Sequence, residues 1–220
     1  MRDWVLWQLA DSAFPSGGFA HSAGLEAAVQ LGDVVGPTGL ERFVTRGLWQ
    51  AGTFALPVVT EAHSQPPETI ARLDRLCDAM TPSHVPNRAS RAQGQALLRA
   101  AAAAFPEAVE PLASRVRAER LPGHLAPIAG AVLRTLGVPR DQAQRLFLFL
   151  TLRGVVSAGV RLGLVGPLEG QAIQARATAV AEQVLAECGS RSLDEAAQVD
   201  PVLDLLQGHQ ERLYSRLFQS

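Results

Sequence analysis

At 220 residues, 47% of them hydrophobic, the chain is long enough to bury one sizeable core and too apolar to remain disordered. Only 5% of it is aromatic, Ala and Leu dominate, and alternating runs of Val, Ile and Thr are nearly absent, so a β-sheet is starved of its preferred residues. A formal charge of -1 without a clustered basic face argues against nucleic acid, and all twenty basic residues are Arg, which excludes a phosphate-loop lysine, Schiff-base chemistry and a lysine general base.

The composition predicts an all-α, single-domain helical bundle of roughly 8 to 10 helices. The first helix occupies residues 3–10, "DWVLWQLA", with Trp4, Leu6 or Trp7, and Ala10 on one face, and Asp11, Ser12 and Pro15 stop it. Ser22 caps a second helix through about Gln30 that Gly32 closes, and Glu26 sits near its positive end. Thr38 and Glu41 form a capping box that starts a third helix, running past Trp49 and bending near Pro57.

Pro66 and Pro67 mark the start of a helix with Ile70, Leu73, Leu76, and Cys77 or Met80 on one face. Another runs from about Asn87 to Ala104. Pro106, Pro111 and "LPGH" at 121–124 punctuate the next pair, and Pro139 takes the first helical position of the one that follows. From Leu146 the run "LFLFLTLRGVVSAGVRLGLVG" is the most apolar in the chain. Arg153 and Arg161 interrupt it too closely for a bilayer span of about 20 residues, so it reads as a buried central helix, with Gly154, Ser157, Ala158 and Gly159 allowing close neighbours.

Helices from about Glu169 to Cys188 and from Pro201 to the end complete the pattern, with a capped turn "SLDE" between them. The terminal helix, residues 201–220, alternates Leu206, Leu213, Leu217 and Phe218 with Arg212 and Arg216, a face that docks either on its own bundle or on another protein. Arg161 lies so deep in apolar sequence that it needs a partner: a carboxylate such as Glu26, backbone carbonyls at a helix end, or a covering protein.

Catalytic and metal chemistry find little support. His21 and Ser22 are adjacent, with Glu26 further on, but adjacent helical residues do not face one another and no strand-to-helix elbow exposes the serine. The five His at 21, 63, 84, 124 and 209 lack ligand spacing, which leaves His21 as a weak metal candidate. Cys77 and Cys188, without CxxC spacing, read as two reduced, buried thiols. The N-terminus has no secretory or transit pattern, so a cytoplasmic protein is expected.

The stretch "LADSAFPSGGFAHSAGLEAAV" resembles the signature of the urease accessory protein UreF family, matched at Gln8, Asp11, Ser12, Phe14, Pro15, Gly17, Gly18, Phe19, His21, Ser22, Gly24, Leu25 and Glu26. The similarity continues through "RASRAQGQALLR", through His124, Pro127 and Gly130, through "SAGVRLGLVGPLEGQ" and into the closing "RLFQS". It departs from the family at His209-Gln210, where His-Glu is common, and in having no Lys.

The resemblance implies a non-catalytic, homodimeric chaperone scaffold with no cofactor of its own. It would assemble with UreD (also called UreH) and the GTPase UreG on apo-urease, those partners handling nickel and GTP, without nucleic acid or membrane. The implied partner-binding residues are His21, Ser22, Glu26, Arg161, His209, Arg212, Tyr214, Arg216 and Phe218. Residues 11–24 then read as a packed loop whose glycines permit positive φ or close backbone approach. The competing classes are a helical metal-binding regulator and an unrelated helical enzyme.

Overall fold

The computed structural model describes residues 2–220, which form a single all-α domain; no strand occurs among the described residues. In chain order the helices are α1 (Arg2–Ala10), α2 (Leu25–Gln30), α3 (Gly36–Gln50), α4 (Leu56–Ser64), α5 (Ile70–Met80), α6 (His84–Ala104), α7 (Pro106–Ala118), α8 (Leu125–Thr135), α9 (Arg140–Arg161), α10 (Pro167–Cys188) and α11 (Pro201–His209). Because α3 and α4 run on through a π turn, Ala51–Ala55, the eleven helices make ten rods.

The most enclosed rod is α8. Its first nine residues, "LAPIAGAVL", carry no polar side chain, residues 126–133 are all buried, and it lies between α4 and α6. A Cβ at Gly130 would stand 2.3 Å from the Val59 carbonyl oxygen, so α4 reaches α8 at a distance only glycine permits. The apolar run from Leu146 is indeed a core helix, α9, packed against α3 and α10. Of its small residues, Gly159 meets the Leu40 side chain, whereas Gly154 faces open space and Ser157 is exposed. A smaller cluster of Leu9, Leu133, Val138, Ala143 and Leu146 seats α1.

Several local expectations are corrected. Trp4 and Trp7 are 71% and 62% exposed, and Val5, Leu6 and Leu9 take the inner face of α1. Thr38 caps nothing, because Gly36 at φ 60 and the fixed φ of Pro37 already start the helix, while Glu41 bonds to Arg176 of α10. The bend near Pro57 is the π turn: the Leu56 N–H reaches back five residues to the Ala51 oxygen. Pro57 has no N–H for the Thr53 carbonyl four residues earlier, and that carbonyl accepts the Ala197 amide at 3.0 Å. Helix α6 begins three residues before Asn87, and Pro139 is the N-cap of α9 rather than its first residue.

The last correction is the largest. The helix expected over 201–220 ends at His209, a 3-10 turn spans Gln210–Arg212, and residues 213–220 are not helical. The capped turn at Ser192 is present, with Glu195 bonding both the Ser192 N–H and its hydroxyl. Cys77 and Cys188 are free and buried, and burial pushes the Cys77 thiol up to about 12.

Candidate functional site

The connection between α1 and α2 is a built structure. Asp11 Oδ1 accepts the Ala13 N–H at 2.8 Å, Arg153 of α9 donates to the Ala10 carbonyl at the end of α1, and a 3-10 turn spans Gly18–Ala20. Gly24 has φ 88, and a Cβ there would lie 3.1 Å from the Gln207 backbone nitrogen, so glycine both makes the turn into α2 and lets α11 approach it.

Against this opening segment lies the segment that follows α11. The Gln219 N–H donates to the Ala20 carbonyl at 2.8 Å and the Ser22 N–H to the Ser220 carbonyl at 2.5 Å. The Ser22 hydroxyl donates to the same carbonyl at 3.0 Å and accepts the Glu26 N–H at 3.3 Å; the N-cap of α2 is Gly24 rather than Ser22, whose hydroxyl reaches one first-turn amide from further back. His21 Nδ1 is 2.7 Å from Ser220 Oγ. Burial and then the nearby Arg88 guanidinium lower the His21 pKa, which favours the neutral ring.

At the centre is Glu26, 2% exposed. Its Oε1 accepts the Leu217 N–H at 2.6 Å, and its Oε2 accepts the Phe218 N–H at 3.1 Å and Gln210 Nε2 at 2.6 Å. Gln210 also donates to the Phe218 carbonyl at 3.2 Å. One buried carboxylate thus takes the N–H groups that a continued helix would have used internally, which is why "LYSRLFQS" leaves the helical course its spacing suggested. On the adjoining surface Glu211 accepts from His84 at 2.7 Å and Arg88 at 2.6 Å, and those two contacts, His84 first, hold its carboxyl down to about 2.

The implied partner-binding residues therefore divide. Ser22, Glu26 and Phe218 are buried and build the junction from behind, so they do not face outward; Leu206 and Phe218 pack into the protein's own core. His21 and His209 are half-buried, and Arg212, Tyr214 and Arg216 are exposed. Arg161 finds neither Glu26 nor any other carboxylate. It donates to the Phe19 carbonyl and stacks on the Phe19 and Phe218 rings, which meets the expectation of a backbone carbonyl partner in a form the sequence did not reveal. The neighbour that the His21 ring meets is the Ser220 hydroxyl, and among the described residues no group of three or more His, Cys, Asp or Glu is placed to hold a metal ion.

Other features of the site were not foreseen. Asp200, the N-cap of α11, is gripped by Arg46 of α3 through bonds of 2.7 and 2.8 Å, which hold its pKa below the usual carboxylate range. Gln50 Oε1 accepts the Val199 and Asp200 amides, so the connector into α11 is strapped to α3. Beside the opening segment is a largely apolar cleft of about 900 Å³, with Phe14, Leu97, Leu133, Leu150 and Val155 in its walls and Arg153 and Arg161 along it. Phe19 at 71% exposure, Leu217 at 53% and the fully exposed Tyr214 give the junction an apolar outer surface.

Comparison with known proteins places these features in context. The sequence model of the UreF family matches residues 34–178. Urease accessory protein F of Arabidopsis thaliana is 42% identical over 223 residues, covering 99% of this chain and 92% of the relative. Urease accessory protein F of Oryza sativa subsp. indica is 40% identical over 219 residues, covering 98% and 84%. Urease accessory protein UreF of Mycobacterium tuberculosis is 32% identical over 211 residues, covering 95% of each.

Proposed function

The chain belongs to the UreF family of urease accessory proteins, and from that premise we propose that it is a non-catalytic scaffold in urease maturation. In this reading it binds a UreD/UreH-type accessory protein and the GTPase UreG, acts in the cytoplasm as a homodimer, and helps deliver nickel to apo-urease without a nucleotide or metal cofactor of its own.

The observation that carries the reading is the convergence of two segments almost 200 residues apart, 11–24 and 210–220, into one surface. Behind it, Glu26, Ser22 and Gln210 hold the backbone fixed. In front, Phe19, Tyr214, Leu217, Arg212 and Arg216 are exposed. Exposed apolar and aromatic side chains together with exposed arginines, on a backbone already held by hydrogen bonds, make a surface suited to a protein partner. A chain without a single lysine has no phosphate-loop lysine of its own, which agrees with leaving GTP to UreG.

The test is reconstitution. Cells carrying apo-urease, UreD and UreG but no UreF should regain urease activity when this chain is supplied, and the purified chain should capture UreD and then UreG. Absence of both rescue and capture, with the chain folded, overturns the reading.

A further inference from the structure

Arg161 is the last residue of α9, yet its contacts belong to two segments remote from it in sequence. One guanidinium N–H donates to the Phe19 carbonyl. Its central carbon lies 3.6 Å from the centroid of the Phe19 ring and 4.2 Å from that of Phe218. No carboxylate among the described residues comes within ion-pair distance of it. The two rings differ in setting: Phe218, on the closing segment, is 4% exposed, and Phe19, on the opening one, is 71% exposed.

We infer that Arg161 is a positioning residue that couples the docking of residues 213–220 to the surface orientation of Phe19. A planar, delocalised cation can stack on aromatic faces while its edge still donates a hydrogen bond, so one side chain registers both rings and the Phe19 backbone together. A ring as exposed as Phe19 has little packing of its own to hold it. The guanidinium supplies that hold, and it is itself seated on the Phe218 ring, whose backbone amide Glu26 captures. Displacing the closing segment therefore frees Phe19, and loosening Phe19 weakens the closing segment. That a partner uses the Phe19 surface rests on the scaffold reading above; the coupling itself does not.

The experiment compares full-length wild type, Arg161→Met, Arg161→Lys and Phe19→Leu by amide hydrogen exchange at Phe218 and Gln219, with thermal unfolding alongside. Met keeps length and apolar bulk, so a packing role alone is satisfied by it. The expected result is exchange roughly tenfold faster in Arg161→Met, with partial recovery in Arg161→Lys, whose ammonium keeps the cation but not the fork. Phe19→Leu, at an exposed position, should also speed exchange at Phe218 and guards against an Arg161 variant that fails to fold. Wild-type protection in Arg161→Met, equal exchange in Met and Lys, or no response at Phe218 to Phe19→Leu overturns the inference. Urease rescue by wild type is scored separately, so failure there with the exchange pattern as expected sinks the scaffold reading and leaves the coupling in place.

Discussion

Asp74 on α5 and Glu26 on α2 are both buried carboxylates that accept backbone N–H groups from a non-helical segment, but their surroundings differ. Asp74, 0% exposed, takes the Gly123 and His124 amides at 2.8 and 2.7 Å where the chain turns into α8. Around it the His124 ring is fully buried, 3.1 Å from Ser90 Oγ and 3.0 Å from Oδ1 of the half-exposed Asp78, and the Gly123 carbonyl presses on Gly94 of α6. Glu26 anchors a segment whose outer side carries exposed Tyr214 and Leu217. The same chemistry serves the core at one end and presents a surface at the other. What decides is whether helices enclose the anchored backbone.

That contrast can be broken by substitution. Asp74→Ala leaves two buried N–H groups without acceptors and should cost about 3 kcal/mol, lowering Tm by roughly 6–12 °C in thermal unfolding. Gly94→Ala attacks the same enclosure from the other side. Its Cβ would lie 2.2 Å from the Gly123 oxygen, so about 2 kcal/mol of overpacking is expected in denaturant titration. Glu26→Ala should lower Tm by less than half the Asp74→Ala effect while exchange at Leu217 and Phe218 rises at least roughly tenfold. Equal loss of Tm in the two variants would mean that the closing segment is as integral to the core as α8.

The smallest effect concerns pH. With its pKa held at about 2 against an ordinary 4.5, Glu211 contributes fully above 4.5, and its contribution fades as pH falls through about 2. Its contacts with His84 and Arg88 should therefore persist at pH 4, and because the group is exposed they should weaken in high salt. A Glu211 titration midpoint near 4.5, read by NMR, would remove it from the anchoring set.

Much of this was legible in the residue pattern. Ser22 does accept an amide of the first turn of α2, although Gly24 holds the N-cap, Arg161 does bond a backbone carbonyl, Ser192 and Glu195 do form a box, and the glycines at 17 and 24 do adopt positive φ. Some misses are local, as where Gly36 and Pro37 start α3 in place of Thr38, and the larger ones depend on a group distant in sequence. Residues 213–217 carry a helical spacing, and only the arrival of Glu26 from the other side of the fold makes a different path better. Helix α1 is apolar on nearly every side, so periodicity could not choose between Trp4 and Leu9 as the inner residue. Asp74, between Leu73 and Leu76, has no local partner that marks it as an anchor; the Gly123 and His124 amides reach it from the far side of α6 and α7 in the chain.

The π turn between α3 and α4 acts as a phase shifter. Both halves of the rod touch α9, but upstream of the turn the other partner is α10 and downstream it is α8, so one continuous backbone must face two directions. An α-helix advances about 100° per residue, and the extra residue in the wide turn supplies that rotation without a break. Deleting one residue from 51–55 would restore an ordinary helical pitch and swing Val58, Val59 and Ala62 away from α8. The length of this rod is thus tied to its angle, and a single-residue change in it is read out on the far side of the domain.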